Sequence, residues 1–211
     1  MYNFFLFSKI IPNFIGEQNL QQLTTNNQQS KKMKLLAFGG SSSKHSINKQ
    51  FATYAASLFN ADEVEILDLN DYELPLFSVD KEKLIGAPPI AKQFSEKIEW
   101  ADVLVISVAE HNAGMTAAFK NIYDWASRQK KLVFNNTPLL LLSTSPGKRG
   151  GASSLEAAQI SMKWYGGNIK ATFSLPSFNE NFDTNAGKIS NKDMDEALKE
   201  IIRNFDYEQK A

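Results

Sequence analysis

An apolar run that ends at a polar turn and continues directly into a helical pattern constrains the fold of this chain more than any other stretch. Residues 103–108 read VLVISV, residues 110–114 supply polar side chains and a glycine, and residues 115–128 have helical spacing. A strand covered on both faces is typical of parallel sheets, and open α/β sheets bind ligands beyond the carboxyl ends of such strands. The turn contains no lysine or arginine. Its amide-rich chemistry therefore favours a flat, neutral, hydrogen-bonding ring over a phosphate.

The rest of the chain repeats this alternation of short apolar runs and amphipathic segments. Five runs alternate with five helical segments, which predicts an α/β fold of three layers around a doubly wound, five-stranded parallel sheet. Right-handed crossovers and the chain length favour the flavodoxin-like strand order 2-1-3-4-5. Residues 70–89 contain three prolines and predict a long loop. The predicted strands are Lys34–Phe38, Val64–Leu69, Asp102–Val108, Pro138–Ser143 and Ile169–Leu175, and the predicted helices are Ser46–Phe59, Pro89 to about Glu99, Met115–Arg128, a segment after Gly151 through Tyr165, and Asn191–Phe205.

The charge balance and the residue counts exclude several classes of function. The 23 basic residues equal the 23 acidic ones in number, whereas a nucleic-acid-binding protein normally has a basic excess. The absence of cysteine excludes disulfides, thiolate metal sites and cysteine nucleophiles, and a cytoplasmic location is expected. No apolar run approaches the roughly 20 residues that a membrane-spanning helix needs. We therefore expect neither a nucleic-acid partner nor a membrane partner.

The first 32 residues differ in composition from the rest of the chain. Residues 1–15 are rich in Phe, Ile and Leu, but Lys9 interrupts them and no basic segment precedes them, so they match a signal peptide poorly. Residues 17–32 are polar and rich in Gln and Asn, and such a segment cannot bury much surface. We expect residues 1–32 to be a disordered extension, or to come from an upstream start codon, and residues 33–208 to form the folded domain.

The turn after the first predicted strand has the chemistry of an anion site. Ser41, Ser42, Ser43 and Ser46 bring four hydroxyls to the start of a helix, where free amides and the helix dipole favour an anion. The turn has neither the glycine spacing of a dinucleotide fingerprint nor that of a P-loop. The alternative interpretation is a solvated turn in which Ser46 caps the helix.

Two other turns and one helix also allow two interpretations each. Glu110 and Asn112 either contact a ligand or satisfy the amides of a helix. Residues 143–151 either bring the backbone close to a bound group, through their glycines, or form a flexible loop with solvated charges. Tyr123 and Trp125 lie off the apolar stripe of their helix, which predicts either an exposed subunit interface or a place in the core.

Together the three turns resemble the NADPH-dependent FMN reductase family of flavodoxin-like proteins, which includes quinone, chromate and azo-dye reductases. The resemblance covers residues 33 to about 205. The family's first loop reads roughly G-S-x-R-x-x-S-x-N, and residues 40–48 keep its glycine, serines and asparagine, but Ser43 replaces the arginine and Lys44 follows it. Residues 109–125 resemble P-E-Y-N-x-S-x-P-G-x-L-K-N-x-x-D-W but lack its first proline, its serine and its Pro-Gly pair, and they have histidine at 111 in place of tyrosine. Residues 145–151 match a small residue followed by P-G-x-x-G-G.

The resemblance implies an oxidoreductase that passes hydride from NADPH or NADH through bound FMN to a quinone-like or other small electron acceptor. A one-electron flavodoxin-type carrier and a flavin-free binding module of the same fold are the alternatives. The resemblance also implies a homodimer or homotetramer with the helix of Tyr123 and Trp125 near the contact, and it assigns no catalytic side chain and no metal, because the cofactor carries the chemistry. The phosphate would bind Ser41, Ser43, Ser46, Ile47 and Asn48, the isoalloxazine ring would lie against Glu110, His111, Asn112 and Ala113, and Ser145, Pro146 and Gly147 would close the other edge of the ring.

Overall fold

A parallel five-stranded sheet forms the centre of the protein in a computed structural model that describes residues 32–207. The sheet order is β2-β1-β3-β4-β5, and every neighbouring pair is parallel. The predicted α/β fold and its strand order are confirmed. The strands are β1 (Lys34–Gly40), β2 (Glu63–Leu67), β3 (Val103–Val108), β4 (Pro138–Thr144) and β5 (Asn168–Leu175), and the helices are α1 (Ile47–Ser57), α2 (Val79–Ile85), α3 (Pro89–Trp100), α4 (Ala117–Gln129), α5 (Ala152–Lys163), α6 (Phe178–Asn181) and α7 (Lys192–Arg203).

Both faces of the central strands are buried, because helices cover each face. Successive side chains of a strand point to opposite faces of the sheet. In β1, Leu36 and Phe38 belong to the core that also holds residues of α3, α4 and α5. Leu35 and Ala37 belong to the opposite core, which holds residues of α1 and α7. The unbroken apolar runs in the sequence follow from this two-sided burial.

A 3₁₀ turn and a helix interrupt the segment that was predicted as a long loop. The turn spans Leu69–Tyr72, and α2 follows a few residues later. Ser78 caps α2 by accepting a hydrogen bond from the amide of Lys81 at 3.0 Å, and Gly86 ends it with a φ of 69°. The prediction was wrong because α2 buries none of its residues. A helix without a buried face leaves no apolar periodicity in the sequence.

Two short antiparallel hairpins lie outside the sheet. The first forms in the segment that was predicted as a plain turn after β3, where Glu110–His111 pairs with Gly114–Met115. Its two central residues have positive φ angles of 50° and 62°, as a type I′ turn requires. Helix α4 starts at Ala117 because Met115 belongs to this hairpin and Thr116 is the N-cap residue. The second hairpin pairs Phe182–Asp183 with Lys188–Ile189.

The prediction that Tyr123 and Trp125 form an exposed interface is wrong. Their exposed fractions are 4% and 0%. The indole nitrogen of Trp125 donates a hydrogen bond to the carbonyl of Pro75 at 2.8 Å, and the hydroxyl of Tyr123 donates to the carbonyl of Ser161 at 3.3 Å. The buried face of α4 is wider than its apolar stripe, because α5 and the loop before α2 both pack on it. Their core positions match the second interpretation of the sequence.

Two expectations from the sequence concern the N-terminal segment and the absence of a membrane-spanning helix. The disordered extension predicted for residues 1–32 lies, apart from Lys32, outside the residues that the structure describes. No helix within residues 32–207 has the length and hydropathy needed to cross a membrane. In the same range, no group of three or more acidic or histidine side chains is placed to hold a metal ion.

Candidate functional site

Three turns leave the carboxyl edge of the sheet side by side. Gly40 of β1 pairs with Val108 of β3, and Val108 pairs with Ser143 of β4, so these strands end at one level. A cleft of about 220 Å³, here called the strand-end cleft, lies between the turns that follow. Ligands of open α/β sheets bind at this edge. Its lining residues are Ser41, Ser43, His45, Ser46, Ile47, Asn48, Ala109, Glu110, His111, Thr144, Ser145 and Pro146.

Most of the predicted site residues come together in this cleft. Nine of the twelve line it, whereas Asn112, Ala113 and Gly147 do not, and the assignment of these three stays a prediction. His45, Ala109 and Thr144 line the cleft although they were not predicted. Ala109 and Thr144 directly precede predicted residues, so the strand ends would have located them. His45 left no signal, because the family pattern accepts any residue at its position.

In the first turn, the hydroxyl oxygens of Ser41 and Ser46 already accept hydrogen bonds from backbone amides. The hydroxyl oxygen of Ser41 accepts a hydrogen bond from the amide of Ser43 at 3.1 Å. The hydroxyl oxygen of Ser46 accepts one from the amide of Lys49 at 3.1 Å and caps α1. A serine that accepts an amide hydrogen bond still has its own proton to donate. Capping and anion binding are therefore compatible, and the two interpretations of this turn both fit Ser46.

Close packing places the start of α1 at the cleft. A Cβ at Gly39 would lie 2.3 Å from the amide nitrogen of Lys49, so only glycine allows the helix to approach β1 this closely. The carbonyl of Gly40 accepts a hydrogen bond from the hydroxyl of Thr116 at 2.7 Å, which holds the start of α4 against the same strand end. The first-turn amides of a helix have no partner within the helix. The amides of Ile47 and Asn48 in α1 are therefore available at the cleft.

The side chain of Asn48 ties three elements together instead of facing a ligand. Its exposed fraction is 2%. Its carbonyl oxygen accepts hydrogen bonds from the hydroxyl of Ser107 at 2.7 Å and from the amide of Thr144 at 3.1 Å. Its amide group donates to the carbonyl of Thr144 at 3.1 Å. The Asn48 side chain thus joins α1 to the ends of β3 and β4, and its backbone amide is the group left for a phosphate.

The Glu110 side chain holds the second turn against α5. Its carboxylate oxygen accepts a hydrogen bond from the amide of Ser154 at 3.0 Å, in the first turn of that helix. The hydroxyl of Ser154 donates to the carbonyl of Ala109 at 2.9 Å. The structural interpretation of Glu110 is therefore correct, although the helix is α5 and not α4. An acidic group at a helix N-terminus is also favoured by the helix dipole.

The third turn is fixed by the start of α6 and by glycine packing. The amides of Ser177 and Phe178 donate to the carbonyls of Gly147 and Ser145, both at 3.0 Å. Gly150 has a φ of 59°, and a Cβ there would lie 2.3 Å from the hydroxyl oxygen of Ser174 in β5. The close backbone approach expected from this glycine is thus made to the neighbouring strand.

The strand-end cleft has no permanent cation among its lining residues. Its titratable residues are His45, Glu110 and His111, and none of the twelve lining residues is lysine or arginine. Lys49 lies on α1 but pairs with Asp68 at 2.6 Å, and this hydrogen bond lowers the pKa of the Asp68 carboxyl group. An anion here would meet hydroxyls, backbone amides and the positive end of the α1 dipole.

The K-N-x-x-D-W part of the second motif fixes a neighbouring loop. The side-chain oxygen of Asn121 accepts from the amide of Phe77 at 2.9 Å, and its amide group donates to the carbonyls of Leu74 and Pro75 at 3.1 and 3.2 Å. Trp125 donates to the same Pro75 carbonyl. This loop borders a separate cleft of about 420 Å³, which contains Ser42 and residues of α4. This part of the motif therefore shapes the separate cleft and does not line the strand-end cleft.

The chain is similar to a protein family and to individual known proteins. The family model described as NADPH-dependent FMN reductase matches residues 33–180. An NAD(P)H-dependent FMN reductase of Pseudomonas aeruginosa is 33% identical over 121 residues, and a 2-hydroxy-1,4-benzoquinone reductase of a Burkholderia species is 35% identical over 122 residues. Each alignment covers 57% of this chain and 64% of the relative, so the chain spans just under two thirds of each relative's length.

A solved structure gives the same fold at lower sequence identity. The FerB flavoenzyme NAD(P)H:(acceptor) oxidoreductase of Paracoccus denitrificans superposes with a TM-score of 0.66 and 21% identity. The superposition covers 82% of this chain and 94% of that one. At this identity the likeness shows the fold alone.

Proposed function

Because the chain belongs to the NADPH-dependent FMN reductase family, we propose that it passes hydride from NADPH or NADH, through bound FMN, to a quinone-like or other small acceptor. The observation that carries this proposal is the convergence of three turns, 41–48, 109–111 and 144–146, on the strand-end cleft. The two relatives reported above are named for reduction of FMN and of a hydroxybenzoquinone, which supports the same class of reaction.

The donors in the first turn fit the phosphate end of FMN. Ser41 and Ser46 each keep a hydroxyl proton to donate, and the amides of Ile47 and Asn48 lie at the positive end of α1. The hydroxyl of Ser43 also lines the cleft. These groups are neutral donors, which can hydrogen-bond to an anion without adding a positive charge.

The second and third turns fit a flat ring. Both turns are anchored to helices, because Glu110 accepts a hydrogen bond from the first turn of α5, and Ser145 and Gly147 accept hydrogen bonds from amides at the start of α6. When bound, FMN would supply the hydride-accepting and hydride-donating chemistry. The residues that would hold the ring are Glu110 and His111 in the second turn and Ser145 and Pro146 in the third. No side chain here has to act as an acid or base.

The proposal predicts a yellow protein that consumes NAD(P)H. The full-length chain, saturated with FMN and then freed of unbound flavin by gel filtration, should show flavin absorption and should oxidise NADPH or NADH when 1,4-benzoquinone is added. Mass spectrometry of the heat-released cofactor identifies FMN. A preparation that neither retains nor binds FMN, and that leaves both nicotinamides unoxidised, would overturn the proposed function.

Two neighbouring serines provide a matched pair of variants. Ser43 lines the strand-end cleft, whereas Ser42, equally exposed in the same turn, lines the other cleft. Ser43→Asp places a carboxylate beside the phosphate position and should weaken FMN binding at least tenfold by like-charge repulsion, on the order expected for such contacts. Ser42→Asp should retain FMN binding within about threefold. Equal losses in both variants would contradict this placement of the phosphate.

We further propose that residues 33–208 are the FMN-binding domain, that the protein is cytoplasmic, and that it forms a homodimer or homotetramer. The absence of cysteine supports a reducing compartment. Self-association is supported by four exposed apolar side chains around α2, and size-exclusion chromatography with light scattering, on the wild type and on Leu84→Lys, tests it. The exposed fractions of Leu76, Val79, Leu84 and Ile85 are 78%, 56%, 78% and 50%.

A further inference from the structure

The first turn leaves open which group compensates the charge of the FMN phosphate. The family pattern has an arginine where this chain has Ser43. A phosphate monoester carries about 1.5 to 2 negative charges at pH 7, and the dipole of one helix offsets about half a charge. Neutral hydroxyls and amides add hydrogen bonds but no net charge. A cation near Ser43 would therefore strengthen binding considerably.

The lysines and arginine around the cleft are poorly placed to supply this charge. Lys49 is bonded to Asp68 at 2.6 Å, and Arg149 donates to the hydroxyl of Ser153 at 3.1 Å. Lys44 and Lys148 are exposed, and neither lines the cleft.

The remaining titratable groups at the cleft are His45, Glu110 and His111. The Glu110 carboxylate faces the start of α5 through its bond to Ser154, and His111 lies on the hairpin, at the ring end. His45 lies in the first turn, among Ser41, Ser43 and Ser46, and lines the cleft with them. Within residues 32–207, it is the lining side chain that can become a cation at the phosphate end.

We propose that the imidazolium of His45 pairs with the FMN phosphate and takes the role of the arginine that this chain lacks. The assignment rests on the proposed function. A histidine side chain can gain or lose its charge within the physiological pH range, whereas an arginine is always charged. The preference of this protein for FMN over riboflavin should therefore depend on pH in the physiological range. His45, two positions after Ser43, thus supplies a charge that depends on pH in place of the arginine of the family pattern.

Binding of two flavins to the flavin-free, full-length chain tests this proposal without any activity assay. Quenching of flavin fluorescence gives the Kd of FMN and of riboflavin, and their ratio isolates the phosphate. The preference for FMN is the Kd of riboflavin divided by the Kd of FMN. This preference should be about fivefold to tenfold larger in wild type than in His45→Ala at pH 6, and about equal in the two proteins at pH 8.5. Comparing the two proteins cancels the titration of the phosphate itself. His45→Gln, which keeps a hydrogen-bond donor without the charge, should behave like His45→Ala.

Three further variants separate His45 from its competitors. His111→Ala should change both flavin affinities alike and leave the ratio unchanged. Lys44→Ala should leave the ratio and its pH dependence in place, and a loss there with no loss in His45→Ala would overturn the proposal. Ser43→Arg in the His45→Ala background should restore the FMN preference, and that preference divided by the preference of His45→Ala should change little between pH 6 and pH 8.5.

The possible failures are distinguishable. If the wild-type chain binds neither flavin, the proposed function fails and this assignment fails with it. If it prefers FMN, but His45→Ala keeps the same ratio at every pH, the proposed function stands and His45 is not the phosphate partner. Circular dichroism of the flavin-free variants checks that the exposed His45 can be replaced without loss of fold.

Discussion

Replacement of Asn48 by alanine should destabilise the flavin-free protein strongly, although Asn48 belongs to the turn that we propose binds the FMN phosphate. The change removes three side-chain hydrogen bonds, two to Thr144 and one to Ser107. Both partners are buried, with exposed fractions of 1% and 0%, so water does not reach the groups left behind. Each such bond contributes about 0.5–1.5 kcal/mol, and an unsatisfied buried group costs more. We expect a loss of about 2–4 kcal/mol.

Urea unfolding of the full-length chain, followed by circular dichroism without flavin, measures this loss directly. Removing the flavin matters, because a ligand that binds only the folded state would add its own stabilisation. Ser107→Ala removes one of the three bonds and should cost about 1 kcal/mol, and the double variant should lose less than the sum of the single variants. Asn179→Ala, at an exposed position of α6, serves as the control and should stay within about 0.5 kcal/mol.

The competing interpretation makes a different prediction. If the Asn48 side chain served mainly to bind phosphate, Asn48→Ala would unfold like the control in the absence of flavin and would lose only FMN affinity. A destabilisation below about 1 kcal/mol would therefore refute the assignment of its side chain to the scaffold.

Three other substitutions test the contacts around the cleft. Trp125→Phe removes the hydrogen bond to the loop 74–77, so it should lower the stability by about 1–2 kcal/mol and expose that loop to limited proteolysis. Glu110→Ala removes the acceptor at the start of α5 and should cost about 1 kcal/mol in urea unfolding, whereas Glu110→Gln, which keeps an acceptor, should cost less. The hydrogen bond from Lys49 lowers the pKa of the Asp68 carboxyl group. The stability that this pair contributes is therefore present above the ordinary carboxyl pKa and is lost as the pH falls through the lower pKa of the folded state. The difference in unfolding free energy between wild type and Asp68→Asn should shrink between about pH 6 and pH 3.

The sheet was predictable because its signal is repeated along each strand. Successive residues such as Leu35 and Leu36 are buried on opposite faces, so the sequence shows unbroken apolar runs of the length of a strand. The connection rules for parallel strands then leave few orders for five of them. Helix α2 was missed for the opposite reason, since none of its residues is buried and its stability depends on local caps.

The candidate site was predictable as a set of turns, but not as a set of side-chain roles. The motifs located nine of the twelve lining residues, because each motif follows a strand that ends at the same level as its neighbours. They could not show that Asn48 and Glu110 turn their side chains toward the scaffold. Which way a side chain turns depends on partners such as Thr144 and Ser154, which are 96 and 44 residues away in the sequence.

The difference between side chains that hold the scaffold and side chains that are exposed at the cleft explains why the chain can depart from the family pattern at exposed positions. The pattern residues that it keeps, among them Asn48, Glu110 and Asn121, hold backbone segments in place through buried or partly buried hydrogen bonds. Two of the residues that differ, Ser43 and His111, are exposed at the cleft, whereas Ala109 and Thr116, which also differ, are buried. A change at a scaffold position costs folding free energy, whereas a change at an exposed position alters the contacts available to a ligand. The departures at Ser43 and His111 should therefore adjust flavin affinity and its pH dependence while the geometry of the three turns stays the same.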